Sequence, residues 1–165
     1  MKAWCMAVLL AAWVGTWPTP LAAEGSAAPR EDIAHLVERF RQAILAKDGD
    51  ALRGMFLPGA SWWQVTDPAT LAAIRLKKPT APAIAPGSYE QFASFVAHAN
   101  QPVEETFDHV RVDTDGIIGT VHFDYRFVMG GKVTNRGMET WQVMRTDEGW
   151  KINAMLYSVI VDDIR

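Results

Sequence analysis

The chain has 165 residues, 19 acidic and 16 basic side chains and a net charge of −3, with no basic run or stripe, so it lacks the electrostatic footprint of a nucleic-acid-binding protein. Its one cysteine, Cys5, falls in an N-terminal apolar stretch, and a chain trimmed of that stretch could form no disulfide, thiol nucleophile or cysteine-ligated zinc site. The length beyond that stretch suits one domain with one core.

Residues 1–23 read as a secretory signal peptide. Lys2 supplies the positive start, "AWCMAVLLAAWVGTW" the apolar core, and "PTPLAA" a helix-breaking end with small residues before a cleavage point after Ala23. The apolar run is too short to span a bilayer, for which about 20 residues are needed. The expectation is an exported protein, periplasmic or secreted, with no membrane anchor after cleavage and a single domain over residues 24–165.

"PREDIAHLVERFRQAILAKDGD" predicts a first helix with Glu31 and Asp32 near its positive end, an apolar face of Ile33, Leu36, Val37, Phe40 and Ile44, and a stop at Gly49. "DALRGMF" predicts a short second helix capped by Asp50, with Leu52, Met55 and Phe56 turned inward. "SWWQV" reads as a short strand. A helix follows with Asp67 as N-cap and Pro68 in its first turn. The proline-rich loop over 79–87 is expected to hold no regular structure, serving as a connector or a lid. "SYEQFASFVAHAN" predicts another helix, with Ser88 and Gln91 spaced as a capping box and Phe92, Phe95, Val96 and Ala99 as its stripe.

From there the period changes from helix to strand. "VEETFDHVRVD", "IIGTVHFDYRFVM", "KVTNRGMETWQVMR" and "WKINAMLYSVIVDD" are long strand candidates joined by hairpin turns. Helices gathered ahead of a continuous antiparallel sheet indicate an α+β domain, with helices packed on one face of a curved sheet that encloses a conical pocket.

Three stretches, "FRQAILAKDGDALRGMF", "VHFDYRFVMGGKVTNRGMETWQVMRTDEGWKI" and the closing "YSV", resemble the nuclear transport factor 2-like superfamily (the SnoaL-like cone fold), in particular secreted bacterial members of the lumazine-binding type. The resemblance covers nearly all of residues 24–165. It implies the cone fold but leaves function open, because the fold serves isomerases, cyclases, epoxide hydrolases, dehydratases and proteins that only bind.

Alternation places Gly119, Val121, Phe123, Tyr125 and Phe127 toward the helices, then Gly137, Glu139, Trp141 and Val143, then Trp150, Ile152, Ala154, Leu156 and Ser158. The expected ligand-binding residues are therefore Trp62, Trp63, Tyr125, Glu139, Trp141 and Ser158. A desolvated Glu139 could act as acid or base, with Tyr125 donating to a developing oxyanion. A structural reading has Glu139 satisfied by Tyr125, an indole or a helix end, and Gly137 marks either a bulge or a close approach.

His122, Asp124 and Arg126 form the opposite, solvent-facing set and are expected to be ion-paired; with His109 they fall short of a metal site, and no metal or cofactor is expected. His35 and His98 are read as surface or edge residues. The outer face also carries Met138, Met144, Met155, Tyr157, Val159 and Val161, enough apolar area to suggest a homodimer through the sheet.

The favoured reading is a non-catalytic protein that holds a small apolar or aromatic molecule in the cone. The alternatives are a cofactor-independent isomerase, dehydratase or cyclase using Glu139 and Tyr125, and an interaction protein with a filled core that works through the outer face.

Overall fold

The computed structural model describes residues 27–162, so the signal segment 1–23 and Cys5 lie outside the described residues. In chain order the elements are α1 (Ala27–Leu45), α2 (Gly49–Gly54), β1 (Phe56–Thr66), α3 (Pro68–Arg75), β2 (Ile84–Pro86), α4 (Tyr89–Ala97), β3 (Val103–Thr114), β4 (Ile118–Met129), β5 (Lys132–Thr146) and β6 (Gly149–Val159). They form one six-stranded sheet in the order β2-β1-β6-β5-β4-β3, with β1 parallel to β6 and every other neighbour antiparallel. Among the described residues no helix is long and apolar enough to cross a membrane.

The first helix buries the expected stripe, Ile33, Leu36, Val37, Phe40 and Ile44, and adds Ala43. It begins at Ala27, earlier than the acidic pair suggested, so Glu31 and Asp32 lie beyond its first turn. Its stop is Lys47 rather than Gly49. Lys47 takes φ +56°, its N–H bonds Ile44 O at 3.0 Å, and Asp48 N bonds Ala43 O at 2.8 Å, which satisfies carbonyls that the helix end would leave open. The Lys47 ammonium also donates to Ala99 O at 2.7 Å, tying this corner to the end of α4.

The cap of α2 is Asp48, which accepts from Ala51 N at 2.9 Å, two positions ahead of the expected Asp50. Gly49 has a packing reason to lack a side chain: a Cβ there would stand 2.7 Å from Ala93 O, where α2 meets α4. Asp67 and Ser88 cap α3 and α4 as expected, accepting from Thr70 N at 3.0 Å and Gln91 N at 3.2 Å.

Two expectations about the sheet change. The proline loop contains β2, which pairs through Trp63↔Pro86 and Val65↔Ile84 and so forms an edge strand of the sheet. Gly87 N then donates to Trp62 O at 2.8 Å. The "SWWQV" strand is longer than expected and lies parallel to β6, a pairing across the whole domain that local pattern cannot reveal.

The core is a continuous aromatic and aliphatic layer between α1, α4 and the inner sheet face. Trp141 is its centre, edge-on to Phe40 at 4.9 Å and to Phe123 at 5.2 Å.

Candidate ligand-binding site

Strand β4 behaves as its alternation dictates: Val121, Phe123, Tyr125 and Phe127 are buried against the helices, and Thr120, Asp124 and Arg126 face out. On β5, Glu139, Trp141 and Val143 are buried. The last strand departs from strict alternation. Val143 pairs with Ile152 but Gln142 pairs with Ala154, so Asn153 is an extra residue in β6. Trp150 and Ile152 point inward before the bulge, and Met155 and Tyr157 after it.

The bulge corrects both sets assigned to this strand. Leu156 is 52% exposed, and the Ser158 hydroxyl accepts from Met138 N at 3.0 Å instead of facing the core. Met155 and Tyr157, expected on the outer face, belong to the interior. A similar irregularity in β5 lets Phe127 pair with Asn135 and Val128 with Val133, which turns Asn135 inward and leaves Thr134 beside it.

These strands, with α1 and α4, enclose a cavity of about 240 Å³. Its walls are Phe40, Trp62, Phe92, Phe127, Met155 and Tyr157, its polar groups are Glu105, Glu139, Tyr125, Asn135 and Thr134, and Phe95 and Met129 complete the lining. Of the residues expected here, Trp62, Tyr125 and Glu139 line it. Trp63 is 44% exposed on the other side of β1. Trp141 is fully buried behind the wall and reaches the site by donating its indole N–H to Glu139 Oε1. Ser158 contributes its carbonyl, which accepts from Tyr125 at 2.9 Å.

Glu105 is the residue that sequence reading missed. It lies on β3 opposite Phe127, is 5% exposed, and shares the interior with Glu139, which is 4% exposed. The same alternation that singled out Glu139 would have found it: Val103, Glu105 and Phe107 all fall on the inward set of β3, a carboxylate between two apolar positions.

Among the described residues no lysine, arginine or histidine lines the cavity. Burial pushes the Glu139 carboxyl up to about 8, against the lowering effect of the Trp141 hydrogen bond. Burial also raises Glu105 well above the ordinary range, and the neighbouring Glu139 charge raises it further. The pair therefore holds protons at neutral pH that ordinary glutamates would have lost.

The tyrosines are already engaged. Tyr125 has one proton for two acceptors, Ser158 O at 2.9 Å and Asn135 Oδ1 at 3.0 Å, and burial raises it far above the ordinary phenol value. Tyr157 donates to Gln64 Oε1 at 2.9 Å and accepts from the Trp62 indole at 3.3 Å. Glu139 thus bonds an indole, as one structural reading expected, and Tyr125 is satisfied elsewhere.

Gly137 answers to close approach, though not of a ligand. A Cβ there would stand 2.1 Å from Ser158 O. On the outer face His109 meets Asp124 at 2.8 Å, Arg126 pairs with Asp108, and His122 contacts Thr140 at 3.1 Å. Among the described residues no three potential metal ligands converge.

No protein-family model and no curated protein sequence matches the chain. Solved structures do match. A nuclear transport factor 2-like protein of unknown function from Pseudomonas putida has a TM-score of 0.62 at 14% identity, covering 82% of this chain and 96% of its own. The chain has the nuclear transport factor 2-like fold. A candidate dehydratase of the nuclear transport factor 2-like family from Streptomyces avermitilis superposes with a TM-score of 0.60 at 17% identity, over 81% of this chain and 97% of its own. A nuclear transport factor 2-like superfamily protein from Salmonella enterica gives 0.58 at 15%, over 83% and 94%. At such identities the likeness shows the fold alone and leaves the chemistry to this chain's own residues.

Proposed function

We propose that the chain is an exported, non-catalytic binding protein whose cone holds a small apolar or aromatic molecule. The observation that carries this reading is the cavity itself: aromatic walls, one polar end, and a volume of about 240 Å³ suited to a single substituted ring. An engineered apolar cavity of about 150 Å³ accepts benzene. A heteroaromatic ligand, as the resemblance to the lumazine-binding type implies, falls within this class. The signal-like residues 1–23 support export.

The test is native mass spectrometry of the protein purified from its own host, followed by denaturation to release what is bound. A stoichiometric small molecule lost on Trp62→Ala is the expected result. Trp62 is the informative position because it lines the cavity. An empty protein that takes up no ring compound would refute the reading and return weight to an interaction protein.

A second reading, cofactor-independent isomerisation, dehydration or cyclisation, is favoured by the Glu105–Glu139 pair, since coupled carboxyls with raised proton affinity can supply one acid and one base. Tyr125 serves this reading poorly, because its proton is shared between Ser158 and Asn135. Turnover of a bound ligand that vanishes in Glu139→Gln while affinity persists would establish it.

We also propose a homodimer through the outer sheet face, where Met138, Met144 and Leu156 are exposed. Light scattering at micromolar concentration would reject it by returning a monomer mass.

A further inference from the structure

Among the described residues, every hydroxyl, amide and indole group around the cavity donates to a partner within the protein. Tyr125 donates to Ser158 O or Asn135, Tyr157 to Gln64, and Thr134 to Phe127 O at 3.2 Å. The Asn135 amide donates to Thr134 at 3.3 Å, the Trp62 indole to Tyr157, and the Trp141 indole to Glu139. What remains for a ligand is the two carboxyls, acceptors when ionised and donors as well while they keep their protons. Glu105 receives no hydrogen bond from any described residue, although it is 5% exposed and lines the cavity. Nor are its oxygens sealed away from the cavity, for the one enclosed side-chain polar atom without a partner among the described residues is Trp150 Nε1.

Two carboxyls facing a cavity walled by π-systems, with no basic residue among the described lining, form a site that favours positive charge in a medium where charge interactions are strong. Burying such a pair is costly unless a partner of opposite charge arrives or the groups stay protonated. The residues around the cavity supply the second solution in the empty state. They leave the first to a ligand.

We propose that the cavity takes a small organic cation, a primary ammonium or amidinium on a single-ring apolar body, held by N–H donation to Glu105 and Glu139 with its ring against Trp62 and Phe92. This deepens the binding reading and rests on it. An ammonium brings three donors and an amidinium four, enough to meet both carboxyls at once, which a neutral alcohol or ketone cannot do. The indole and phenyl faces add cation–π attraction. On entry of the cation, one carboxyl O–H bond of the protonated pair breaks, its proton goes to solvent, and the carboxylate formed accepts the ligand's N–H.

The titratable groups facing the site are Glu105 from β3, Tyr125 from β4, Glu139 from β5 and Tyr157 from β6; α1, α4 and β1 present only Phe40, Phe92, Phe95 and Trp62. Both tyrosines have raised pKa values, so the carboxyl pair governs the site's proton balance below pH 8. One proton leaves per cation bound, so affinity for a cation should rise about tenfold per pH unit between pH 6 and 8. A neutral hydrogen-bond acceptor would show the opposite trend, binding best while the pair is protonated.

The experiment is titration of the full chain with benzylamine, benzyl alcohol and benzoate, followed by calorimetry at pH 6, 7 and 8, in the wild type and in Glu105→Gln. Benzylamine remains a cation throughout that range. The expected result is benzylamine bound in preference to the other two, tighter at pH 8 than at pH 6, and weakened about 10- to 100-fold by Glu105→Gln, with benzyl alcohol weakened far less than benzylamine. If Glu105→Gln does not fold, Glu139→Gln gives the same readout, because its amide oxygen still accepts from Trp141. Benzyl alcohol or benzoate binding as tightly as benzylamine, or benzylamine indifferent to both substitutions, would overturn the cation while leaving the binding reading intact. Failure of all three probes would overturn both.

Discussion

Replacing Glu139 by Gln should make the protein more stable at neutral pH, by an amount that grows with pH. The substitution keeps the shape of the side chain and an oxygen for the Trp141 indole, and removes only the ionisable proton. In the native chain burial pushes Glu139 up to about 8 from the ordinary 4.5. Below the ordinary value the carboxyl is neutral in folded and unfolded chains alike, and burial of a charge costs nothing. Between that value and about 8 the unfolded chain has released the proton while the native chain retains it. The unfolded state then binds fewer protons, so native stability falls as pH rises, by about 1.4 kcal/mol per pH unit. The loss reaches about 3 kcal/mol at pH 7 and levels off near 5 kcal/mol above pH 8. The assay is urea unfolding of wild type and variant at pH 5, 6, 7 and 8. Their difference cancels the exposed carboxyls Glu38, Asp115 and Asp162, whose lowered pKa values act in the opposite sense. A difference that stays constant from pH 5 to pH 8 would refute the claim that Glu139 is buried with its proton.

Trp141→Phe removes the indole donor from Glu139 and should raise the carboxyl's titration midpoint above about 8, read by carbon-13 NMR of labelled glutamate; a midpoint that falls or stays put would contradict the assigned hydrogen bond. Gly87→Ala places a Cβ 2.1 Å from Trp62 Cδ1, so the indole must shift, at a cost of about 1–3 kcal/mol. Its signature is changed tryptophan fluorescence together with weakened ring binding. Gly137→Ala meets the Ser158 backbone at 2.1 Å and has no flexible neighbour to displace; thermal melts should show a loss of about 3 kcal/mol, and an unchanged melting temperature would mean that β5 and β6 do not cross so closely.

Period carried the sequence reading a long way. The inward set of β4 and the Glu139–Trp141 step on β5 follow from alternation because those stretches pair without irregularity. Alternation failed where pairing acquires an extra residue. Asn153 advances β6 by one, exchanging Leu156 and Ser158 for Met155 and Tyr157, and no local composition marks it. The parallel β1–β6 contact and the three-residue β2 depend on chain segments meeting from afar, so neither propensity nor proline spacing announces them. Asp50 is the expected cap when Gly49 is taken to end the first helix, a task that falls to Lys47 in a left-handed conformation, with Asp48 as the cap. Glu105 was within reach. Its neighbours Val103 and Phe107 carry the same pattern as those of Glu139.

The six strands do not close into a barrel, so the sheet keeps two edges, at β2 and β3. The β2 rim is only three residues long and ends on Pro86, which has no N–H to offer. The β3 rim is broken where His109 takes φ +55° and the pairing slips between Asp108 and Arg111. Charged Asp108, Arg111 and Asp113 flank the break. A strand from another molecule would have to straighten β3 against His109 and desolvate those charges before it could extend the sheet. Both edges are therefore poor templates for a strand added by another copy of this chain.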